Sequence, residues 1–118
     1  MSEENIIEGK KFDDVIFKNA SSIDIHTSEG KQIWENVKTY DVPYRCLVPK
    51  FIDNLLVCGR CISATHKALG SLRFIPCCMG TGQACGVAAS LCIEMNKKPR
   101  EIDIKELQKR LRKQKVIL

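Results

Sequence analysis

The stretch Asn54-Leu55-Leu56-Val57-Cys58-Gly59-Arg60 constrains this chain most. A continuous apolar run closed by glycine fits a strand covered on both faces, the kind buried in α/β cores. Such a strand needs neighbours, and the rest of the chain offers few. Ile23-Asp24-Ile25-His26 alternates with period two, Ser28-Glu29-Gly30-Lys31 is a turn signal, and Ile33 to Tyr40 returns as a second strand. Together they predict a hairpin with a loose loop. Pro43 and Pro49 bracket Tyr44 to Val48, which is expected to run extended, because the residue before proline avoids the helical region.

Helical signals lie at the two ends. Ser2 caps a short helix that Gly9 ends. Phe12, Val15 and Ile16 form an apolar cluster too short to classify. Residues 60–75 show no clean period and read as a long ordered loop. From Met79 the pattern turns helical: Val87, Leu91 and Met95 make one face, while Gly82, Gly86 and Ala89 leave a bare flank. Asn96 to Pro99 stops that helix. Asp103 and Glu106 form a capping box, and Ile104, Leu107 and Leu111 make the last helix amphipathic. The expected fold is therefore α+β, a small single unit spanning 1–118. It has two or three strands (about 22–27, 34–41 and 55–58) and two main helices (about 80–95 and 104–113). Residues 1–50 form its hairpin region.

The 118 residues leave room for one domain. No apolar run is read as reaching the ~20 residues that cross a bilayer, and the acidic start lacks a signal-peptide layout. A cytoplasmic protein without membrane partners is expected. Seven cysteines are many, but an odd number without an export signal argues against a disulfide framework. Cys58-Gly-Arg-Cys61 and Cys77-Cys78 raise a zinc site or a redox dithiol, and packing outweighs both. Charge is uneven: −4 over 1–44, +3 over 45–96 and +6 over 97–118. The basic tail lacks interleaved aromatics to stack bases, so it reads as a solvated helix face, without nucleic acid.

Chemistry concentrates in Asn54 to Ala89. The segment Pro76 to Gly86 is read as opening a helix with glycines, where free N–H groups and the helix dipole favour negative charge. Gly80, Gly82 and Gly86 are spaced G-x-G-x-x-x-G, one residue longer than the dinucleotide pattern, and Pro76 interrupts the strand that should precede it. His66 sits near Arg60 and Arg73 and is a candidate acid or orienting donor, against a solvated or structural histidine. Arg45 and Arg73 are candidates to clamp a substrate carboxylate, or else form ordinary salt bridges. His26 reads as a surface or hairpin residue, and Trp34 and Tyr44 as core or interface.

Tyr40 to Arg45, Asn54 to His66 and Met79 to Ala89 resemble the carboxy-terminal portion of FAD-dependent oxidoreductases. Phe12 to Ile16, Ile23 to His26 and the closing helix fit the same family, so the resemblance spans nearly the whole chain. It implies a fragment of a larger α/β flavoprotein whose FAD is held mainly by an amino-terminal Rossmann-like half, absent from these residues. By that resemblance Gly59 and Arg60 would lie beside the ribityl–pyrophosphate region, and Ser63 is a further cofactor-binding candidate. Gly80, Gly82 and Gln83 would bring N–H groups to the flavin's N1/O2 edge, with Thr81 a further cofactor-binding candidate. Weak or no FAD binding is expected of the chain alone. Its expected partners are the missing half or a second copy of itself. The competing reading is a non-enzymatic module that docks on another chain.

Overall fold

The computed structural model describes all 118 residues, Met1–Leu118. It is a small α+β unit of four α-helices and two two-stranded antiparallel sheets. The helices are α1 (Glu3–Ile7), α2 (His66–Leu72), α3 (Ile75–Met95) and α4 (Ile104–Lys113). The strands are β1 (Val15–Asn19), β2 (Ile23–His26), β3 (Gln32–Glu35) and β4 (Tyr40–Pro43).

Both sheets belong to one long ribbon. Asn19 opposes Tyr40, and four residues further on Ile23 opposes Glu35, so the chain folds back about a single turn at Ser28 to Gly30. The hairpin is thus confirmed, and its stem extends to the unclassified Val15–Ile16 cluster. The expected return strand is split instead: 32–35 pairs with β2, 36–39 pairs with nothing, and 40–43 pairs with β1.

The stem is the core. β4 is buried at every position, and Ile16, Tyr40 and Val42 are fully enclosed. α3 and α4 pack on β1, each contributing an apolar stripe. The stripe of α4 is Leu107 and Leu111, with Gln108 between them donating its amide to the carbonyls of Asp13 and Val15 at 2.7 and 3.1 Å. That side chain, with the Ile117 carbonyl accepting from the Lys18 amide, satisfies one side of β1 without another strand. α2 packs on β2 at the ribbon's far end.

Three expectations fail, each for a local reason. Residues 66–72 are helical rather than loop, because Thr65 caps them, its hydroxyl accepting from the Ala68 amide at 3.3 Å. Tyr44–Leu47 is a 3-10 turn rather than extended. The proline constraint reaches back only to Val48, whose φ −103° and ψ 113° obey it. Leu55 to Cys58 forms no strand: it is extended, but only the Val57 amide finds a backbone acceptor, the Leu47 carbonyl at 2.8 Å. A ladder needs a partner strand, and none of these residues supplies one.

α3 also departs from expectation. It begins at Ile75, because Pro76 falls in the first turn, where its missing N–H costs nothing. The resulting 21-residue helix, with mean hydropathy 1.2, is long and apolar enough to cross a membrane by length and composition. The sequence alone predicts no such run. Cys77, Thr81, Ala84, Ala88 and Leu91 face the core.

Candidate functional site

The earlier start of α3 changes what its glycines do. Gly80, Thr81, Gly82 and Gln83 lie in the second and third turns, where each amide bonds four residues back. They do not open the helix, so the free N–H cradle expected there is absent. The uncommitted amides of the first turn belong to Ile75 and Cys77. Gly80 has a packing reason: a Cβ there would lie 3.1 Å from the Phe17 ring, so glycine lets β1 approach the helix. Gly82 and Gly86 have none, since a Cβ at either meets nothing within 4 Å. Their flank is open, and Ile75, Met79 and Ile93 continue it as exposed apolar residues along one side of the helix.

The segment after Asp53 runs antiparallel along α3. Asn54 shares a cleft with Cys92 and Ile93, the Cys85 thiol donates to the Val57 carbonyl at 3.5 Å, and the Gly59 amide donates to the Thr81 hydroxyl at 2.8 Å. Gly59 has φ +66°, the left-handed region that favours glycine. Thr81 is itself buried and returns its proton to the Cys77 or Cys78 carbonyl, each 3.0 Å away. Its role is therefore to fix the Gly59 turn. Arg60 follows, exposed, its Nε donating to the Arg73 carbonyl at 3.3 Å and its charge facing no carboxylate partner.

A second cleft, about 150 Å³, is lined by Asp24, Ile25, His26, His66, Leu69, Gly70 and Arg73. Here the structure brings two candidate residues, His66 and Arg73, to one site. Gly70 sets the distance: a Cβ would meet the Asp24 carbonyl oxygen at 3.0 Å and Ile25 at 3.1 Å, so only glycine lets α2 sit this close to β2. Arg73 then reaches Asp24, donating from Nη2 to Oδ2 at 3.0 Å and to the backbone carbonyl at 3.2 Å. Asp24 is a buried hub, also accepting from Gln32 at 2.8 Å and lying 3.4 Å from His26 Nε2. The Gln32 hydrogen bond lowers its pKa most, burial opposes this, and His26 and Arg73 add to the lowering. The guanidinium is half engaged, and the exposed His66 imidazole forms no protein hydrogen bond.

The remaining candidates lie elsewhere. Arg45 forks onto Asp14, its Nε donating at 2.8 Å and its Nη2 at 2.6 Å, which is the salt-bridge alternative. For Asp14, burial raises the pKa, but the Arg45 hydrogen bonds outweigh it and the net shift is downward. Ser63 shares a cleft with Arg45, Cys46 and Val57, its amide donating to the Cys46 carbonyl at 2.9 Å. Gln83 donates to Gln114 at 2.9 Å, on the side of α4. Tyr44 is core, as expected, whereas Trp34 is exposed.

Sequence reasoning missed Asp24 as the centre of the small cleft. Its signal was an acidic residue at a buried position of an alternating strand, with Gln32 directly across the hairpin from His26. It also missed the buried network of Tyr40, Asn19 and Ser71. Asn19 donates to the Tyr40 hydroxyl at 2.6 Å, and Ser71 Oγ lies 2.7 Å from that hydroxyl and donates to the Ser21 carbonyl. Burial pushes the Tyr40 phenol up to about 12. This network joins α2 to the ribbon.

No curated protein and no solved structure matches this chain. A family profile does, described as FAD dependent oxidoreductase, and it covers residues 1–111, including the Gly59 turn, the small cleft and both glycine-bearing segments. By that match over nearly its full length, the chain belongs to the FAD dependent oxidoreductase family.

Proposed function

We propose that this chain closes a flavin site whose nucleotide is held by a separate dinucleotide-binding half, in the same polypeptide or in another. One observation carries the proposal. The outer side of α3 is apolar and bare at Gly82 and Gly86, and beside it runs an extended segment with unused backbone groups at Leu55, Leu56 and Cys58. A helix apolar on both sides is built to be covered on both. Open glycines let a flat group or another backbone come close.

The residues fit FAD in part. Gly59 and the uncompensated Arg60 suit the pyrophosphate, as a left-handed turn beside a free cation. Gly82 and Gly86 offer a surface for the ring system, while the Gly80 to Gln83 amides, spent within the helix, offer no donors to its charged edge. When bound, FAD supplies the two-electron redox chemistry. In this reading His66 holds or moves a proton, and Arg73, oriented by Asp24, binds an anionic group of a substrate. A cleft of about 150 Å³ is smaller than the usual ~300 Å³ lower bound for ligand sites, so it takes a substituent rather than a whole substrate.

Titrating FAD into the purified chain tests this division of labour. Weak or no binding is expected alone. Stoichiometric yellow complex is expected when a glycine-rich βαβ domain encoded upstream is added. Tight FAD binding by the chain alone overturns the proposal. A two-chain complex that leaves FAD in solution favours the docking-module alternative, and self-association in sedimentation favours a second copy as partner.

A further inference from the structure

The seven thiols fall into distinct settings. Cys46 and Cys77 are buried, Cys58 and Cys61 exposed, and Cys78, Cys85 and Cys92 half-buried. The pairs that stand out in the sequence are not the pairs the fold makes. Cys77 and Cys78 are successive residues of a regular helix, so one points to the core and the other sideways, away from disulfide geometry. Cys58 precedes the Gly59–Cys61 turn and Cys61 ends it.

Cys58 instead lies over α3. The neighbouring Val57 carbonyl accepts from the Cys85 thiol at 3.5 Å, and the neighbouring Gly59 amide is held by Thr81 at 2.8 Å. Cys58 is thus fixed from both sides above the middle of the helix, and the Cys85 sulfur, 3.5 Å from the oxygen of the peptide that joins Val57 to Cys58, lies beside it. Cys78 also approaches this turn, but it is seven residues from Cys85, about 10.5 Å along the axis, so those two cannot join each other.

We propose that Cys58 and Cys85 are an oxidative modification site, closing a disulfide that ties the 55–58 segment to α3 when a peroxide reaches the exposed Cys58. The Cys58 sulfur attacks one peroxide oxygen, the O–O bond breaks, and the thiol proton leaves with the released water or alcohol. Cys58 is then a sulfenic acid, oxidised by two electrons, and the peroxide is reduced. The Cys85 sulfur attacks that sulfenic sulfur, the S–O bond breaks, and the oxygen leaves as water with the Cys85 proton. Cys58 is exposed and Cys85 half-buried, so peroxide meets Cys58 first and Cys85 resolves. Burial also holds the Cys85 thiol high, at about 12, so closure quickens as pH rises. The site does not depend on flavin: it uses only residues within this chain.

The test treats the native chain with hydrogen peroxide, blocks remaining thiols and digests with trypsin. Cleavage after Arg60 separates the Cys58 peptide, 51–60, from the Cys61 peptide, 61–67. The expected product joins 51–60 to 74–97 through Cys85, located by fragmentation, with the mass of two hydrogens lost and restored by dithiothreitol. It is expected to vanish in Cys85→Ser and Cys58→Ser and to persist in Cys92→Ser. Because Cys58 is exposed, the Cys58→Ser chain keeps the test informative if Cys85→Ser misfolds. A link from 61–67, a link within 74–97, or Cys58 driven to sulfinic acid without any link overturns the proposal.

Discussion

Helix α4 turns Leu107 and Leu111 inward and Lys105, Lys109, Arg112 and Lys113 to solvent, whereas its neighbour α3 is apolar on both sides. On α4 the outer charges are hydrated or paired, as where Arg110 donates to Glu94 at 2.6 and 2.8 Å and helps hold that carboxyl down at about 2. On α3 the outer line of Ile75, Met79, Gly82, Gly86 and Ile93 carries no charge at all. The difference separates a surface finished within this chain from the one that the proposed flavin-binding half would cover. α4 reads the same whether a partner is present or not. In the proposed function, the outer side of α3 is where the partner sits.

That contrast gives graded expectations. The largest effect is on the finished side: Leu111→Ala empties a fully buried position and should destabilise the chain by about 2–5 kcal/mol in denaturant unfolding. A loss under about 1 kcal/mol there would mean α4 is not part of the core. Next, Gly80→Ala pushes against the Phe17 ring and should cost about 1–3 kcal/mol, while Gly82→Ala, with open space around it, should stabilise the isolated chain by up to about 1 kcal/mol. Equal signs for the two glycines would erase the distinction between the faces. Met79→Ser on the outer face should shift stability by no more than about 0.5 kcal/mol, and a larger loss would show that this face is already covered.

The smallest effect concerns pH. The folded pKa of Asp24 lies below its unfolded value, so its contribution is present above the unfolded pKa and is lost as pH falls through the folded one. Asp24→Asn should therefore flatten the acid limb of the stability profile below about pH 4 and leave the neutral region's slope unchanged. An acid limb identical to that of the unsubstituted chain would remove Asp24 from its place as the hub of the small cleft.

The legible parts of this fold were those in which local sequence carries the whole signal. Asp103 and Leu107 to Leu111 specify α4 without outside help, and the alternation at Ile23 to His26 with the turn at Gly30 specifies the hairpin. The start of α3 was obscured by Pro76, which reads as a strand breaker or as a helix opener depending on what precedes it. Residues 66–72 hid because Gly70 breaks the helical pattern, and its reason, contact with Ile23 and Asp24, is remote in sequence. The run Leu55 to Cys58 carries the composition of a buried strand without the sheet to bury it. Of the candidate site, His66 and Arg73 meet because both flank one short helix, a spacing visible in the sequence. Asp24, which orients Arg73, arrives from 49 residues away.

The central claim is that the outer side of α3 is a docking surface for a flavin-binding half. Hydroxyl-radical footprinting of Met79 reads it directly, because this side chain is 69% exposed in the chain alone. In a stoichiometric complex with FAD and the dinucleotide-binding half, Met79 oxidation is expected to fall sharply relative to the free chain, while labelling at the exposed face of α4 stays the same. Met79 oxidising equally fast in free chain and FAD-loaded complex would contradict the claim.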